Sequence, residues 1–306
     1  MTAQSEAMAL PVTTRKQRTL WGDVWVQFRK HKLAMFGLVV IVLIVVSVMI
    51  GPMIYTRDPE YIDFSVANQA PSLQYPFGTD NLGRDGLSRN LHGGRISIAV
   101  GVVAMLISMF VGSLIGALSG YYSKLDGTLM RFTDMMLALP LLPLLLVIIL
   151  LFRDTLRATF GPETGIFLLI VFVIGILNWM PTARVVRGSV LSVKEKEFIE
   201  AAISIGTNEN TVLLKHVFPN VLSPIIVAAT LSIANAIITE SALSFLGLGF
   251  PSDVPTWGRL LYDGKDFMTF TPWVVIFPGL FISFTVLGIN FMGDGLRDAL
   301  DPKLRE

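Results

Sequence analysis

The chain contains no cysteine among its 306 residues. Disulfides, thiol catalysis and thiolate metal ligands are therefore excluded. The three histidines, His31, His92 and His216, are too far apart in sequence to give a ligand spacing such as His-x-x-x-His, so we expect no metal site. The sequence also lacks a Gly-x-x-x-x-Gly-Lys-Ser/Thr loop, and we expect this chain to bind neither ATP in a P-loop nor any other cofactor.

Charge is scarce as well. Only 15% of the residues are charged, against about 25% in typical soluble domains. The formal net charge is +1 and no basic run occurs, so nucleic acid is not an expected partner. The chain is instead 53% hydrophobic with a mean hydropathy of +0.64, which indicates a protein embedded in a lipid bilayer.

Six apolar runs are long enough to cross a hydrocarbon core, which takes about 20 residues of helix. The sequence therefore predicts an all-α integral membrane protein with six transmembrane helices. The predicted spans are Leu33–Tyr55, Ile96–Tyr122, Phe132–Leu151, Gly165–Met180, Val221–Phe245 and Pro272–Met292. The first run is too long for a signal peptide and lacks a small-x-small cleavage site, so we interpret it as a retained span.

The distribution of Lys and Arg predicts the orientation. If the N-terminus is placed in the cytoplasm, sixteen of the 24 basic residues fall on inside segments and eight on outside segments. This bias predicts cytoplasmic N- and C-termini. It also places residues 184–220, here called the polar hairpin, on the cytoplasmic side.

These assignments divide the chain into a tail, a first span, an external segment and a core. In order, they are an N-terminal tail (1–32), the first span (33–55), an external segment (56–95), a five-helix core that includes the polar hairpin (96–292) and a C-terminal tail (293–306). Residues 1–19 lack a core-forming pattern and are predicted to be disordered. Apolar residues at three- and four-residue steps then predict a helix lying on the inner leaflet: Trp21, Val24, Trp25 and Phe28.

The polar hairpin carries helix start and stop signals. Ser192 followed by Glu195 predicts a capping box, and Gly206 predicts a left-handed stop, so we expect a helix from Val193 to Gly206. A second short helix is predicted to end at Pro219. One face of the first helix gathers Phe198, Ile199, Ala202, Ile203 and Gly206, whereas Glu197 and Glu200 point elsewhere. The pattern favours a handle for a soluble partner over a solvated loop.

Within the spans, small and ionisable residues stand out. Gly112, Gly116 and Gly120 form a stripe that favours close helix packing, within the chain or against a partner. The prolines Pro140, Pro143, Pro224 and Pro278 predict kinks.

Glu240 and Asp134 are carboxylates at predicted membrane depth, where function is the default hypothesis. For Glu240 two interpretations stay open, namely a place on the transport pathway or a structural hydrogen bond to Asn235 or Asn290. Proton coupling is disfavoured because no second acid or histidine shares the span.

Four separated motifs in this order resemble those of ABC-importer permeases. Glu200-Ala201-Ala202, Gly206 and Val217-Phe218-Pro219 resemble the EAA motif, although Phe218 stands where Leu is conventional. Phe77-Gly78-Thr79-Asp80, continuing to Gly83-Arg84-Asp85, resembles the external signature of peptide-type permeases. The segment around Glu240 up to Pro255-Thr256-Trp257-Gly258, and the ending from Asp294 through Arg297-Asp298 to Asp301-Pro302, complete the set. The whole resembles the C-type permease subunit of dipeptide, oligopeptide and nickel importers.

This resemblance implies a type I ABC importer permease fold in the bacterial inner membrane. It implies a non-catalytic subunit that pairs with a homologous B-type permease, an external binding protein and two cytosolic P-loop ATPases, which use ATP and Mg²⁺. The residues it assigns to ATPase coupling are Glu200, Ala201, Ala202, Ile203, Gly206 and Pro219.

The resemblance assigns the external motif to Gly78, Asp80, Gly83, Arg84 and Asp85, whose three charges are expected to form an ion-pair knot. That motif either clasps its own segment or contacts the binding protein. Asp294, Arg297, Asp298 and Asp301 form a charge ladder on the last helix that braces the polar hairpin, touches the ATPase or is merely solvated.

Peptide is the expected substrate, with nickel and oligosaccharide as alternatives in the same family. A self-sufficient secondary carrier is a weaker rival because Glu240 is its one serious intramembrane site. An intramembrane enzyme is weaker still, since neither His-Glu-x-x-His nor Gly-x-Ser-Gly occurs.

Overall fold

A computed structural model describes residues 20–300, and every regular element in that range is helical. The predictions for residues 1–19, for Asp301 and for the side chain of Trp21 concern parts of the chain outside this description. The α-helices are α1 Leu20–Lys30, α2 Lys32–Ile54, α3 Gly86–Tyr121, α4 Ser123–Ala138, α5 Leu141–Phe160, α6 Pro162–Leu177, α7 Trp179–Lys194, α8 Glu197–Ser204, α9 Glu209–Thr211, α10 Phe218–Phe245, α11 Trp257–Gly264 and α12 Trp273–Leu300.

Five of the helical stretches are long and apolar enough to cross a membrane. They are Lys32–Ile54, Gly86–Tyr121, Pro162–Lys194, Glu209–Phe245 and Trp273–Leu300. A sixth arises only if α4 and α5, bent by 84° to each other, are counted as one span. The structure thus confirms an all-α architecture with five to six candidate membrane helices in the described range.

The predicted span Phe132–Leu151 is not one continuous helix, because the chain breaks between α4 and α5 rather than kinking. Leu139 and Pro140 both leave the helical region, with ψ angles of 137° and 106°. A proline disfavours the α conformation in the residue before it, which accounts for the break. Pro143 falls in the first turn of α5, where no backbone donor is needed, and it does not interrupt that helix.

The third helix starts earlier than the sequence predicts. It begins at Gly86, because the Asp85 carboxylate accepts a hydrogen bond from the backbone N–H of Ser88 at 2.9 Å and so caps it. The segment that links α2 to α3 therefore ends at residue 85, ten residues before the predicted limit at Arg95.

The glycine stripe of α3 packs against α7 within the chain. A Cβ added at Gly116 would lie 2.5 Å from the carbonyl oxygen of Ala183, and one at Gly120 would lie 2.8 Å from the Val190 side chain. Both contacts require the absence of a side chain on α3. The stripe is thereby occupied, which settles the choice between an internal and an external packing partner.

The largest buried cluster lies between α3, α5, α6 and α10. Its fully buried members include Val100, Leu145, Ile170, Ile174 and Leu243. A smaller cluster joins the two ends of the described range, where Val24 and Phe28 of α1 pack with Ala34 and Ala299. The apolar face of α1 is thus turned partly toward α12, while Trp25 remains 48% exposed.

Candidate functional site

The short helix α8 carries the Glu-Ala-Ala motif and ends as predicted at Gly206. Gly206 has a φ of +81°, and its N–H bonds to the Ile203 carbonyl while Thr207 N–H bonds to that of Ala202. These two bonds form a Schellman motif, which needs a left-handed residue. The helix itself is shorter than predicted and covers Glu197–Ser204.

The predicted capping box is wrong. Ser192 lies inside α7, and Glu195 is the residue that follows the end of that helix. Lys196 occupies the cap position of α8 without a side-chain bond. The sequence signal failed because α7 extends from the membrane region as far as Lys194, so no helix starts at Ser192.

The apolar face of α8 divides into a buried and an exposed part. Ile199 and Ala202 are buried against Val186, Val190 and Val217. The remaining apolar side chains are exposed instead, namely Phe198 (46% exposed), Ile203 (51%) and Ile205 (83%). Glu200 and Ala201 are exposed as well, so Ala201 rather than Ala202 offers a small residue to a partner.

Pro219 does not end a helix, contrary to the prediction. Residues Glu209–Phe245 form one continuous helix, in which Val212–Val217 is a π-helical segment. The N–H of Phe218 bonds to the carbonyl of Leu213, five residues back. This wider spacing accommodates a proline that would clash with the carbonyl four residues before it in an α-helix.

The cytoplasmic end of α3, as the sequence orients it, holds both arms of the polar hairpin. Lys194 on the incoming arm donates from Nζ to the carbonyl oxygen of Tyr121 at 2.8 Å. Tyr122 donates from its hydroxyl to Oδ1 of Asn210 on the outgoing arm at 2.6 Å. Sequence reasoning missed these contacts, since they join residues separated by more than 70 positions.

Helix α4 is fastened to α7 just upstream of α8. Arg187 makes a two-pronged ion pair with Asp126, with N–O distances of 2.5 and 2.6 Å, and Ser119 donates to the same carboxylate at 2.6 Å. Asp134, predicted at membrane depth, pairs with Arg184, and both side chains are more than half exposed. Pairing of this kind accounts for a carboxylate at that position.

The external motif forms a buried ionic network. Asp80 pairs with Arg84 at 2.7 Å and with Arg89 at 3.0 Å, and Asp263 of α11 lies 3.3 Å from Arg89 and 2.8 Å from Arg259. The predicted knot is right for Asp80 and Arg84. Asp263 and Arg259 went unrecognised because they lie on α11, more than 170 positions further along the chain, and Arg89 because the sequence did not place it at the start of a helix beside the motif.

Asp85 belongs to a different set of contacts from the predicted knot. Besides capping α3, it accepts a hydrogen bond from the Tyr55 hydroxyl at 2.5 Å and lies 3.3 Å from Arg57. Gly78 and Gly83 have φ angles of +68° and +76°, a left-handed conformation that tight turns use and that glycine adopts without strain.

Glu240 is completely buried between α3, α10 and the start of α11. Ser244 and Thr256 donate to its Oε1 at 2.7 and 2.8 Å, and Ser97 and Ser241 lie 3.5 Å from Oε2. This geometry fits the structural interpretation, although the partners are hydroxyls and not Asn235 or Asn290. With 0% of its surface exposed, Glu240 does not line an open path.

The charges of the last helix separate into two environments. Asp298 lies 3.7 Å from Nε2 of His31, which joins α12 to the N-terminal end of α2. Asp294 and Arg297 instead line a cavity of about 640 Å³ between α7, α10 and α12. The polar side chains along that cavity include Asn178, Thr182, Asn220, Ser223, Ser232 and Asn235.

Comparison with known families identifies the class of protein. Residues 89–306 match the model of the binding-protein-dependent transport system inner membrane component. Residues 19–71 match the N-terminal transmembrane domain of oligopeptide transport permease C. The chain belongs to the binding-protein-dependent transport permease family and is a multi-pass inner membrane protein.

Individual relatives agree along almost the whole length. The chain is 39% identical to the oligopeptide transport system permease protein OppC of Bacillus subtilis over 96% of its length and 93% of that protein. It is 40% identical to OppC of Haemophilus influenzae, over 94% and 90%. It is also 40% identical to the glutathione transport system permease protein GsiD of Escherichia coli, over 99% and 97%.

A solved structure shares the fold. A chain of the methionine ABC transporter MetNI superposes with a TM-score of 0.55, covering 68% of this chain and 95% of that one at 17% sequence identity. The match supports the predicted type I importer permease fold. The family consists of transport permeases, so the chain is a transport subunit and not an enzyme.

Proposed function

We propose that this chain is one of two permease subunits of an ATP-driven importer of di- or oligopeptides. It would enclose a translocation path with a homologous B-type permease. An external binding protein would deliver the peptide, and two cytosolic P-loop ATPases would supply ATP hydrolysis with Mg²⁺. Relatives named for oligopeptide, dipeptide and glutathione transport favour peptide over nickel or oligosaccharide.

The observation that carries this proposal is the exposed apolar side of α8. Phe198, Ile203 and Ile205 face away from the hairpin core, next to the exposed Glu200 and Ala201. Exposed apolar side chains grouped with a charge are typical of a surface that another protein covers. Ile199 and Ala202 anchor the other side of the same helix in the hairpin. The helix is therefore built to transmit force between a partner and the membrane helices.

The role of coupling can be put in energetic terms. A ligand shifts a two-state equilibrium only by its differential affinity for the two states. A change from 1:99 to 99:1 requires about 5.5 kcal/mol. In this proposal ATP binding supplies that difference, and α8 with the two anchored hairpin arms conveys it to α7 and α10.

Reconstitution tests the proposal directly. The chain, its B-type partner, the two ATPases and the binding protein are assembled in liposomes, and uptake of a labelled tripeptide is measured with and without ATP. We expect uptake only with all components and ATP. Tripeptide uptake by the permease pair alone would contradict the proposal and favour a secondary carrier. ATP-driven uptake of nickel or oligosaccharide, without uptake of peptide, would support the importer function and contradict the peptide substrate.

The contribution of α8 is tested with Glu200→Lys. This variant reverses the charge on the exposed side of the helix without touching the buried anchors Ile199 and Ala202. We expect it to insert normally and to lose ATP-driven uptake together with co-purification of the ATPases. Normal uptake by this variant would contradict the prediction that α8 is the element on which the ATPases dock.

A further inference from the structure

The cavity between α7, α10 and α12 has the size of a ligand site. Its volume of about 640 Å³ lies in the range of 300–1,000 Å³ that is common for ligand pockets. Along α10 its lining runs from Asn220 to Asn235. Fifteen residues of α-helix rise about 22 Å, a length that admits roughly six residues of extended peptide.

The lining residues of α10 share one face of that helix. Asn220, Pro224, Val227, Leu231 and Asn235 follow one another at steps of three or four. Their polar members are uncharged amides and, with Ser223 and Ser232, hydroxyls. Such groups can bond to peptide amides without selecting a particular side chain.

Two opposite charges stand where the cavity meets the hairpin end of the bundle. Asp294 and Arg297 lie three residues apart on α12, so their side chains are neighbours on one helix face. Within residues 20–300 neither makes an ion pair or a side-chain hydrogen bond. Both charges are exposed and are thus available to a ligand.

We propose that this cavity contacts the substrate during import and that Asp294 and Arg297 serve the positive and the negative groups of a peptide, on its termini and its side chains, as it leaves. A peptide ammonium group is matched by Asp294 and a peptide carboxylate by Arg297. A cavity opening with charges of only one sign would attract one charged group of the peptide and repel the other, whereas Asp294 and Arg297 together accept both. The inference rests on the proposed peptide importer and extends it to named residues of the path.

The proposal gives a charge-selective expectation. In Asp294→Asn the cavity opening keeps only a positive charge, so import of a lysine-containing tripeptide should fall relative to a glutamate-containing one. Arg297→Gln should change the ratio in the opposite direction. An ion pair in contact with solvent contributes about 0.2–1 kcal/mol, which corresponds to a change of roughly 1.5- to 5-fold in each ratio.

The measurement uses the complete transporter in liposomes with tri-alanine variants that carry one Lys or one Glu. Selection by the binding protein cancels, because the same binding protein serves every variant. Asp298→Asn is the matched control, since it removes the same charge from the same helix outside the cavity lining. Opposite shifts in Asp294→Asn and Arg297→Gln, with none in Asp298→Asn, support the proposal. Unchanged ratios in both cavity variants overturn it, while peptide import by the wild type leaves the importer function standing.

A second measurement applies if the charge variants do not assemble. The chain lacks cysteine, so Ser232→Cys provides a single thiol in the cavity, and Ser123→Cys provides one on the exposed start of α4. We expect tripeptide under turnover to slow labelling of Ser232→Cys by a thiol reagent and to leave Ser123→Cys unaffected. Labelling of Ser232→Cys that is indifferent to peptide overturns the proposal.

Discussion

At the scale of single residues, Gly206 ends α8 in a left-handed conformation, and Asp80 pairs with Arg84 in the external motif. The stop at Gly206 follows from its neighbours alone, and the structure has it with a φ of +81°. The pairing of Asp80 with Arg84 spans four residues and was likewise accessible from the sequence. Asp263, which completes that network, lies more than 170 positions away, and no local pattern in the sequence points to it.

Gly206 offers a test in which strain and crowding are separated. No atom lies within 4 Å of a Cβ added there, so the cost of Gly206→Leu comes from the left-handed backbone, about 1–2 kcal/mol. We expect this variant to insert normally but to lose most ATP-driven uptake, because the end of α8 no longer forms. Gly188→Leu is the control, since its Cβ is equally free but its φ is ordinary. Equal uptake by both variants would show that the left-handed end of α8 at Gly206 is not needed for coupling.

Glu240 should matter for stability rather than for substrate choice. Glu240→Leu leaves hydroxyls of Ser244, Thr256 and Ser97 without their acceptor, and each unsatisfied buried group costs about 1–3 kcal/mol. We expect a clear fall in the melting temperature in detergent for Glu240→Leu and a much smaller one for Glu240→Gln, which keeps an oxygen acceptor. A changed substrate preference in Glu240→Gln, at unchanged stability, would instead revive a pathway role.

At the scale of helices, periodicity gave the spans but not their interruptions. The break at Leu139–Pro140 and the π-helical segment Val212–Val217 both occur at or near prolines. A proline fixes one backbone angle and removes one donor, and the same loss can be met by a kink, a break or a wider turn. Tertiary packing decides among these outcomes. The sequence therefore predicted a kink at Pro140 and a helix end at Pro219, whereas the structure has a break at Pro140 and a π-helical segment before Pro219.

The attachment of α4 to α7 is testable at this scale. The bidentate pair Asp126–Arg187 is only about a third exposed, whereas both members of Asp134–Arg184 are more than half exposed. In double-mutant cycles on thermal unfolding, with neutral Asn and Gln replacements, we expect the first pair to show a coupling energy of about 1 kcal/mol or more. We expect the second to show less than about 0.5 kcal/mol. A reversed order would mean that burial does not control these contacts.

At the scale of the whole molecule, the amino-acid composition was enough to predict a membrane protein, and the four motifs were enough to predict its family. The orientation remains a prediction from basic residues. Because the chain has no cysteine, single replacements test it cleanly. Ser252 lies on the same side as the external motif, since its carbonyl oxygen accepts from Arg89, and Ser204 lies on α8.

With an impermeant thiol reagent on intact cells, we expect Ser252→Cys to be labelled and Ser204→Cys to be protected. Opening the cells should expose Ser204→Cys, because its side chain is on the surface of α8. Labelling of Ser204→Cys from outside would invert the topology and would separate α8 from any cytosolic ATPase.

The π-helical segment also affects how the polar hairpin is rotated about the axis of the helix Glu209–Phe245. Each residue turns an α-helix by about 100°, and a π segment holds one residue more than the α-helix would in the same length. Residues before Val212 are therefore rotated about the axis relative to those after Val217. Deletion of the exposed Leu214 together with Pro219→Ala would restore a regular helix and turn Asn210 away from Tyr122 by about a quarter turn. In the proposed importer, the orientation of this arm of the polar hairpin toward an ATPase thus depends on a single extra residue.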